Sequence, residues 1–229
     1  MKQFSSKKDA SSAPVSITPP PDVAKTWFQD PNVAARMSAY AEILLKWQRR
    51  INLVSKGTLP DLWRRHFADS AQLFALIPPG TEHIVDFGSG AGFPGLVLAA
   101  MGPWRVSLIE SDSRKCAFLS EASRVMGLNV TIHNARIDAV PALNADVATA
   151  RALAGLPDLL AFTVQHLRPS GIALFLKGQM AEEELTLSLK QWNMVATRTP
   201  SHTDPSGVIL QLGSISPRHG RCESDQSPE

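Results

Sequence analysis

The chain has 229 residues, of which 44% are hydrophobic and 19% charged, with a formal net charge of +2. This is the balance of a globular protein able to bury a sizeable core, and it excludes a global polycation, so any basic surface must be local. Two distant cysteines, Cys116 and Cys222, argue against a disulfide or zinc framework and for a reduced, cytoplasmic protein.

No apolar stretch approaches the ~20 residues of a membrane-spanning helix, and the Lys-, Ser- and Pro-rich N-terminus lacks the apolar centre of a secretory signal. Neither a membrane nor a metal ion is expected as a partner. Residues 1–22 hold too few apolar residues to pack and are expected to be a disordered tail, as are residues 214–229. Between them the pattern divides into a helical N-terminal segment over 23–80 and an α/β domain over 81–213.

Within the first of these, Asp30-Pro31 marks a helix start, because Asp caps free amides and Pro is tolerated in the first turn. Val33, Met37, Tyr40, Leu44, Trp47 and Ile51 then recur at spacings of 4, 3, 4, 3 and 4, which makes one buried stripe. Thr58-Leu-Pro60-Asp61 resembles a capping box opening a second helix. On that helix Leu62, His66, Asp69, Leu73 and Leu76 share a face, and Pro78-Pro79-Gly80 ends it.

From residue 83 short apolar runs alternate with helical segments. Strands are predicted near 83–87, 105–110, 129–133, 146–150, 171–177, 193–199 and 207–213, and helices near 94–102, 113–126, 157–168 and 181–191. Such alternation builds a mostly parallel sheet with helices on both faces, and ligands bind beyond the carboxyl ends of its strands.

The first strand ends in Ile84-Val-Asp86-Phe-Gly88-Ser-Gly90-Ala-Gly92-Phe93-Pro94-Gly95. Glycine permits positive φ in the bend from strand to helix, and without a Cβ it lets a ligand approach the main chain. The helix that follows would aim its amides at a negative group, a contribution of about 0.3–1 kcal/mol. Gly90-Ala-Gly92-Phe-Pro-Gly95 satisfies the dinucleotide pattern G-x-G-x-x-G, so an NAD(P)-dependent oxidoreductase is a real alternative. Asp86 at the strand end, suited to an ammonium group, and the early Gly88 favour S-adenosylmethionine instead. The cofactor contacts expected here are Asp86, Gly88, Gly90 and Phe93.

Glu110 closes the next strand, 24 residues after Asp86, where a carboxylate accepts hydrogen bonds from both ribose hydroxyls of an adenosine cofactor. Ile137-Asp138 follow the third strand and suit the adenine edge. Arg151 stands at the mouth of the fourth strand, a binding position. There is no Asn/Asp-Pro-Pro-Tyr/Phe segment to hold an amino acceptor, and neither cysteine is placed as a pyrimidine nucleophile. The acceptor is therefore expected to be nucleophilic already, as guanine N7 is, and to need alignment rather than deprotonation. Residues 25–66 carry eight basic residues against three acidic ones, a local surface for RNA phosphates. Their aromatics, Tyr40, Trp47 and Trp63, are expected in the core.

These segments resemble the RsmG (GidB) family of ribosomal RNA methyltransferases over about residues 30–213. The resemblance lies in Lys46-Trp47, Ile51-Asn52-Leu53-Val54-Ser55, Arg65-His66-Phe-Ala-Asp69-Ser70, the Asp86–Gly95 loop and Glu110-Ser111. It continues in Arg136-Ile137-Asp138, Ala150-Arg151-Ala152 and Leu176-Lys177-Gly178-Gln179. Ile137-Asp138 stand where the family often has Ala-Glu, and Arg114-Lys115 where it often has two lysines; both exchanges keep the charge.

The resemblance implies a Rossmann-like class I S-adenosylmethionine-dependent methyltransferase fold, with a mostly parallel seven-stranded sheet. It implies transfer to guanine N7, at guanine 527 of the decoding-region loop, with 16S ribosomal RNA or the small ribosomal subunit as partner. Cofactor contacts are implied at Gly88, Phe93, Ile137, Asp138 and Arg151, with Glu110 on the ribose. Asn52, Arg65, His66, Asp69, Arg136 and Lys177 are implied on the RNA and acceptor side, with no single catalytic base. A monomer is expected. A non-catalytic RNA-binding or assembly factor stands as the second alternative.

Overall fold

The apolar runs from residue 83 onward assemble into one seven-stranded sheet in a computed structural model that describes residues 15–218. Its strands are β1 (His83–Phe87), β2 (Arg105–Glu110), β3 (Val130–Asn134), β4 (Ala145–Arg151), β5 (Leu167–Lys177), β6 (Trp192–Pro200) and β7 (Val208–Pro217). The order is β3-β2-β1-β4-β5-β7-β6. β1 to β5 are parallel, and β7 enters antiparallel between β5 and β6. The winding reverses between β1 and β4, which opens a crevice at the carboxyl ends of these strands. Because Lys177 pairs with Val208, and Pro200 with Val208 in turn, the β6–β7 connection lies at that same rim.

Side-chain alternation assigns the two faces of the sheet. In β1, Ile84 packs into one core with Met37, Tyr40 and Leu44 of α2 (Pro31–Gln48), Leu96 and Leu98 of α4 (Gly95–Met101), and Phe118 of α5 (Ser113–Val125). Val85 and Phe87 point the other way, into a core with Leu156, Leu159 and Leu160 of α6 (Leu156–His166) and Leu185 of α7 (Ala181–Ser188). Burying each such side chain contributes about 1.5–3 kcal/mol. The N-terminal helical segment therefore shares the main core rather than building its own.

Asp30 caps α2 as expected, its carboxylate accepting from Asn32 N at 2.7 Å and Val33 N at 3.4 Å. Tyr40 and Trp63 are buried, and Trp47 is half-buried with its indole N–H on Glu121 Oε2 at 2.8 Å. The second helix differs from expectation. Residues Lys56–Asp61 form a 3-10 helix, Trp63–Ala68 a π-helical turn, α3 (Asp69–Ala71) a single α-helical turn, and Gln72–Leu76 another 3-10 helix. Thr58 caps no amide; its hydroxyl bonds the Ser55 carbonyl and His66 Nε2. Pro60 inside the first turn removes a backbone donor that an α-helix there would use.

The tails are shorter than expected. α1 (Pro21–Trp27) begins on its own proline at the first helical position, with Val23 buried, and β7 continues to Pro217 because β6 pairs with it that far. Ahead of α1, Val15 packs against the core and the Ser16 carbonyl accepts from the Trp63 indole N–H at 2.9 Å; residues 1–14 and 219–229, with Cys222, lie outside the described residues. Among the described residues no helix is long and apolar enough to cross a membrane, and no His, Cys, Asp and Glu cluster could hold a metal ion.

Candidate active site

The crevice at the sheet's switch point holds two cavities. The first, about 710 Å³, is lined by Gly88, Gly90 and Phe93 of the glycine loop, by Glu110, by Arg136-Ile137-Asp138 and by Arg151. The second, about 640 Å³, is lined by Arg65, His66 and Asp69, by Lys177, and by Ser201, Thr203 and Asp204. Leu53, Arg151, Ala152 and Ala154 line both. The two cavities meet at Arg151 and Ala152, and Ala152 holds a φ of +50°, a conformation that costs a non-glycine residue about 1–3 kcal/mol and concentrates at functional sites.

Along the loop Gly88, Gly90 and Gly92 all take positive φ, and the Phe93–Pro94 peptide is cis. A Cβ on Gly90 would meet only the Gly88 carbonyl, at 3.7 Å, so the chain is bare toward the first cavity there. The other glycines serve packing as well. A Cβ on Gly88 would collide with Leu153, and one on Gly92 would lie 2.6 Å from the Tyr40 hydroxyl, which donates to the Ala91 carbonyl.

The structure corrects the reading of Asp86. It is fully buried and lines neither cavity. The alternation of β1 turns it onto the α4 face, where Oδ2 accepts from Gly95 N at 3.3 Å and Oδ1 from Thr149 Oγ1 at 2.8 Å. A Cβ on Gly95 would lie 2.8 Å from Oδ2, so this glycine lets the helix reach the acid. The first α4 amide is thereby used inside the protein, not aimed at a ligand. Burial pushes the Asp86 carboxyl up to about 6.

Glu110 does reach the first cavity while nearly buried. Oε2 accepts from Gly90 N and Oε1 from Asp112 N, both at 2.8 Å. Each oxygen keeps a lone pair, one for each of two neighbouring hydroxyls. Ile137, also lining this cavity, is buried, and Asp138 is exposed, paired with Arg136 at 3.3 Å. Arg136 stands at the rim of the first cavity and does not line the second, because it belongs to the turn after β3.

Phe93 anchors the junction. Tyr40 and His66 stack on it with ring centroids 5.2 Å away, and the Arg151 guanidinium lies 5.0 Å from its centroid, within cation–π range. Arg151 also donates to the Arg65 carbonyl at 3.0 Å and approaches Asp69 Oδ2 at 3.5 Å. His66 Nε2 shares a hydrogen with Thr58 Oγ1 at 2.8 Å. Burial first, then the charges of Arg151 and Arg65, pull its pKa down to about 3, so the ring is neutral at physiological pH.

Lys177 lines the second cavity, but its ammonium is held by Glu184 at 2.7 Å and by the Ala154 carbonyl at 3.0 Å. Asn52 lines neither cavity; it is exposed and bonded weakly to Gln48, because the 49–55 segment turns after α2 and presents Leu53 to the cavities instead. The basic segment is also sorted. Arg64 pairs with Asp22 and Asp61, and Arg65 with Asp204. Arg49, Arg50 and Lys56 are exposed and form no ion pair among the described residues.

The sequence reading missed the β6–β7 tip, Ser201 to Gly207. Its signal was Asp204-Pro-Ser-Gly207, a turn between two predicted strands, whose place follows only from the antiparallel β7.

An open crevice at the β1/β4 switch, a bare glycine turn and a strand-end carboxylate define a class I S-adenosylmethionine-dependent methyltransferase; the antiparallel seventh strand sets it apart from the all-parallel dinucleotide sheet. The model of the GidB family, rRNA small subunit methyltransferase G, matches residues 33–205. The chain belongs to that family.

It is 58% identical over 188 residues to a Ribosomal RNA small subunit methyltransferase G of Paramagnetospirillum magneticum, covering 82% of this chain and 91% of the relative. It is 55% identical over 183 residues to that of Rhodospirillum centenum, covering 80% and 85%. Among solved structures it is similar to M. jannaschii TYW2 in complex with AdoMet, with TM-score 0.52, 19% identity, and 75% and 80% of the two chains covered. It is also similar to the glycopeptide N-methyltransferase MtfA complexed with S-adenosyl-L-methionine, with TM-score 0.55, 12% identity, and 65% and 93% covered. These two likenesses concern the fold alone.

Proposed function

We propose that the protein transfers the methyl group of S-adenosylmethionine to N7 of guanine 527 in the decoding-region loop of 16S ribosomal RNA. The observation that carries this reading is the meeting of two nucleotide-sized cavities at Arg151 and Ala152, one walled by the glycine loop and Glu110, the other by Arg65, His66 and Asp69. Family membership supports ribosomal RNA as the substrate.

The residues present fit the cofactor. Gly90 leaves its side of the cavity open, Glu110 has two lone pairs for the ribose, and Ile137 with Asp138 forms the wall for the adenine. When bound, the cofactor supplies a methyl group on a positively charged sulfur. The guanine N7 lone pair would take up that methyl group as the S–C bond returned its electron pair to sulfur, and the base would carry the positive charge. No proton leaves N7, so no general base is needed, and a neutral His66 is consistent with that. Arg151, fixed over Phe93 and by the Arg65 carbonyl, aligns the two cavities; such positioning is worth up to about 7–11 kcal/mol in favourable systems. The Asp69 carboxylate in the acceptor cavity offsets the charge gained by the base.

Borohydride–aniline treatment tests the position, since N7-methylguanine is cleaved by it. Ribosomal RNA from cells carrying the gene is expected to break at guanine 527, and RNA from a deletion strain to stay whole there. Equal cleavage in both would refute the proposal.

A further inference from the structure

We infer that Thr203, at the tip of the β6–β7 connection, is a positioning residue for methyl transfer that acts through Asp69 on Arg151. The inference rests on the proposed function and extends it to a loop to which no role has yet been given.

The tip reaches across the acceptor cavity and is held at three points on the segment that carries His66. Thr203 Oγ1 donates to Asp69 Oδ1 at 2.6 Å. Gln72 Oε1 accepts from His202 N at 2.9 Å. Arg65 Nη1 pairs with Asp204 Oδ2 at 2.9 Å. Trp27 of α1 meets the His202 ring at 5.8 Å.

The direction of the first bond is fixed. An ionised carboxylate only accepts, and a threonine hydroxyl has a single proton, so at 2.6 Å that proton is committed to Asp69. Thr203 Oγ1 is then left as an acceptor toward Ser201 Oγ, 3.1 Å away, whose own proton has Gln72 Oε1 at 3.4 Å as its other acceptor. Gln72 Nε2 also donates to Asp69 Oδ1, at 3.0 Å.

Both of these bonds load the same oxygen. Oδ1 is held by Thr203 and Gln72, while Oδ2 is left facing Arg151 Nη1 at 3.5 Å. The carboxylate plane is thereby set from the hydrogen-bonded side, and the free side is turned to the arginine that lines both cavities. A charged acceptor bonded by a hydroxyl is among the stronger side-chain interactions. Without Thr203, Gln72 alone leaves the carboxylate free to rotate about its last torsion, which is broad and weakly staggered. Arg151 would then keep Phe93 and the Arg65 carbonyl but lose the set orientation of its carboxylate partner, at the meeting point of methyl donor and acceptor. The tip is thus part of the alignment device, not only a wall of the cavity.

The test measures total tritium from labelled S-adenosylmethionine incorporated into small ribosomal subunits of a deletion strain, so it does not depend on which guanine atom is modified. T203V keeps the shape but removes the proton; T203S keeps the proton. We expect kcat for T203V to fall at least tenfold, with the Kd for S-adenosylmethionine within twofold of wild type, and T203S to retain at least half of wild-type kcat. In a D69N background, T203V is expected to cost less than a further twofold, since the two residues act through one bond. Wild-type kcat in T203V, equal losses in T203V and T203S, or an undiminished loss in the D69N background would each overturn the inference. Absence of incorporation by the wild-type protein would instead overturn the methyl-transfer reading, and this inference with it.

Discussion

Replacing Asp86 by Asn separates a buried support from a ligand contact. In the folded protein burial raises this carboxyl from the ordinary 3.8 to about 6. A carboxyl with a raised pKa binds its proton more tightly folded than unfolded. Its contribution to stability is therefore full below pH 3.8 and is lost as the pH rises through about 6. The full swing is about 3 kcal/mol, of which about 1.4 kcal/mol falls between roughly pH 5 and pH 7.5. D86N keeps the volume and an acceptor for Gly95 N but carries no charge. Urea unfolding of both proteins at a series of pH values across that range should show D86N gaining about 1.4 kcal/mol on wild type as the pH rises. Any titration of His66 is common to both and cancels in the difference. Parallel stability curves would show that Asp86 does not hold a perturbed proton in the fold, and the burial argument would be wrong.

His66 gives the opposite slope. Its pKa is about 3 in the fold against an ordinary 6.5, so stability is complete above pH 6.5 and declines as the pH falls, by about 2 kcal/mol from roughly pH 7.5 to pH 5. H66F, which keeps a ring on Phe93, should flatten this decline in the same unfolding series; an unchanged slope would remove His66 as its source. G92A must take a φ of +85° and place a Cβ 2.6 Å from the Tyr40 hydroxyl, a cost of about 2–4 kcal/mol and a drop of at least about 5 °C in Tm. A wild-type Tm would refute the packing role of that glycine. E110A removes a carboxylate that holds Gly90 and faces the first cavity, so calorimetry should show S-adenosylmethionine binding weakened about 10- to 100-fold; binding unchanged by E110A would place the ribose elsewhere. If Arg49, Arg50 and Lys56 touch RNA phosphates, alanine at each should lower the slope of log Kd against log salt by about 1, and an unaltered slope would clear that residue of contact.

The strands and the glycine loop were legible because their signals are local: apolar runs of strand length, punctuated by Gly and Pro. The places of Glu110 and Arg151 at the crevice followed, since a strand end in a parallel sheet is a place as well as a pattern. Asp86 was misread although its own strand held the correction. Counting alternate residues from Ile84 turns it toward α4, away from the crevice. The helix over 58–77 was right in its apolar face and wrong in its geometry, because spacings of three and four suit 3-10, α and π turns alike. Thr203 was beyond reach. Its partner Asp69 is 134 residues away, and nothing in a small polar turn announces where an antiparallel strand will bring it.

The stack of Tyr40, Phe93 and His66 ties one wall of the second cavity to the same core that supports the sheet. A wall built this way has no hinge of its own. On that side of the cavity adjustment falls to the RNA, and a target base that has to leave its stack to enter brings a cost of a few kcal/mol. Selectivity would in that case be exercised partly by the RNA: a target base already strained or unpaired reacts readily, and the same base held in a regular helix is passed over.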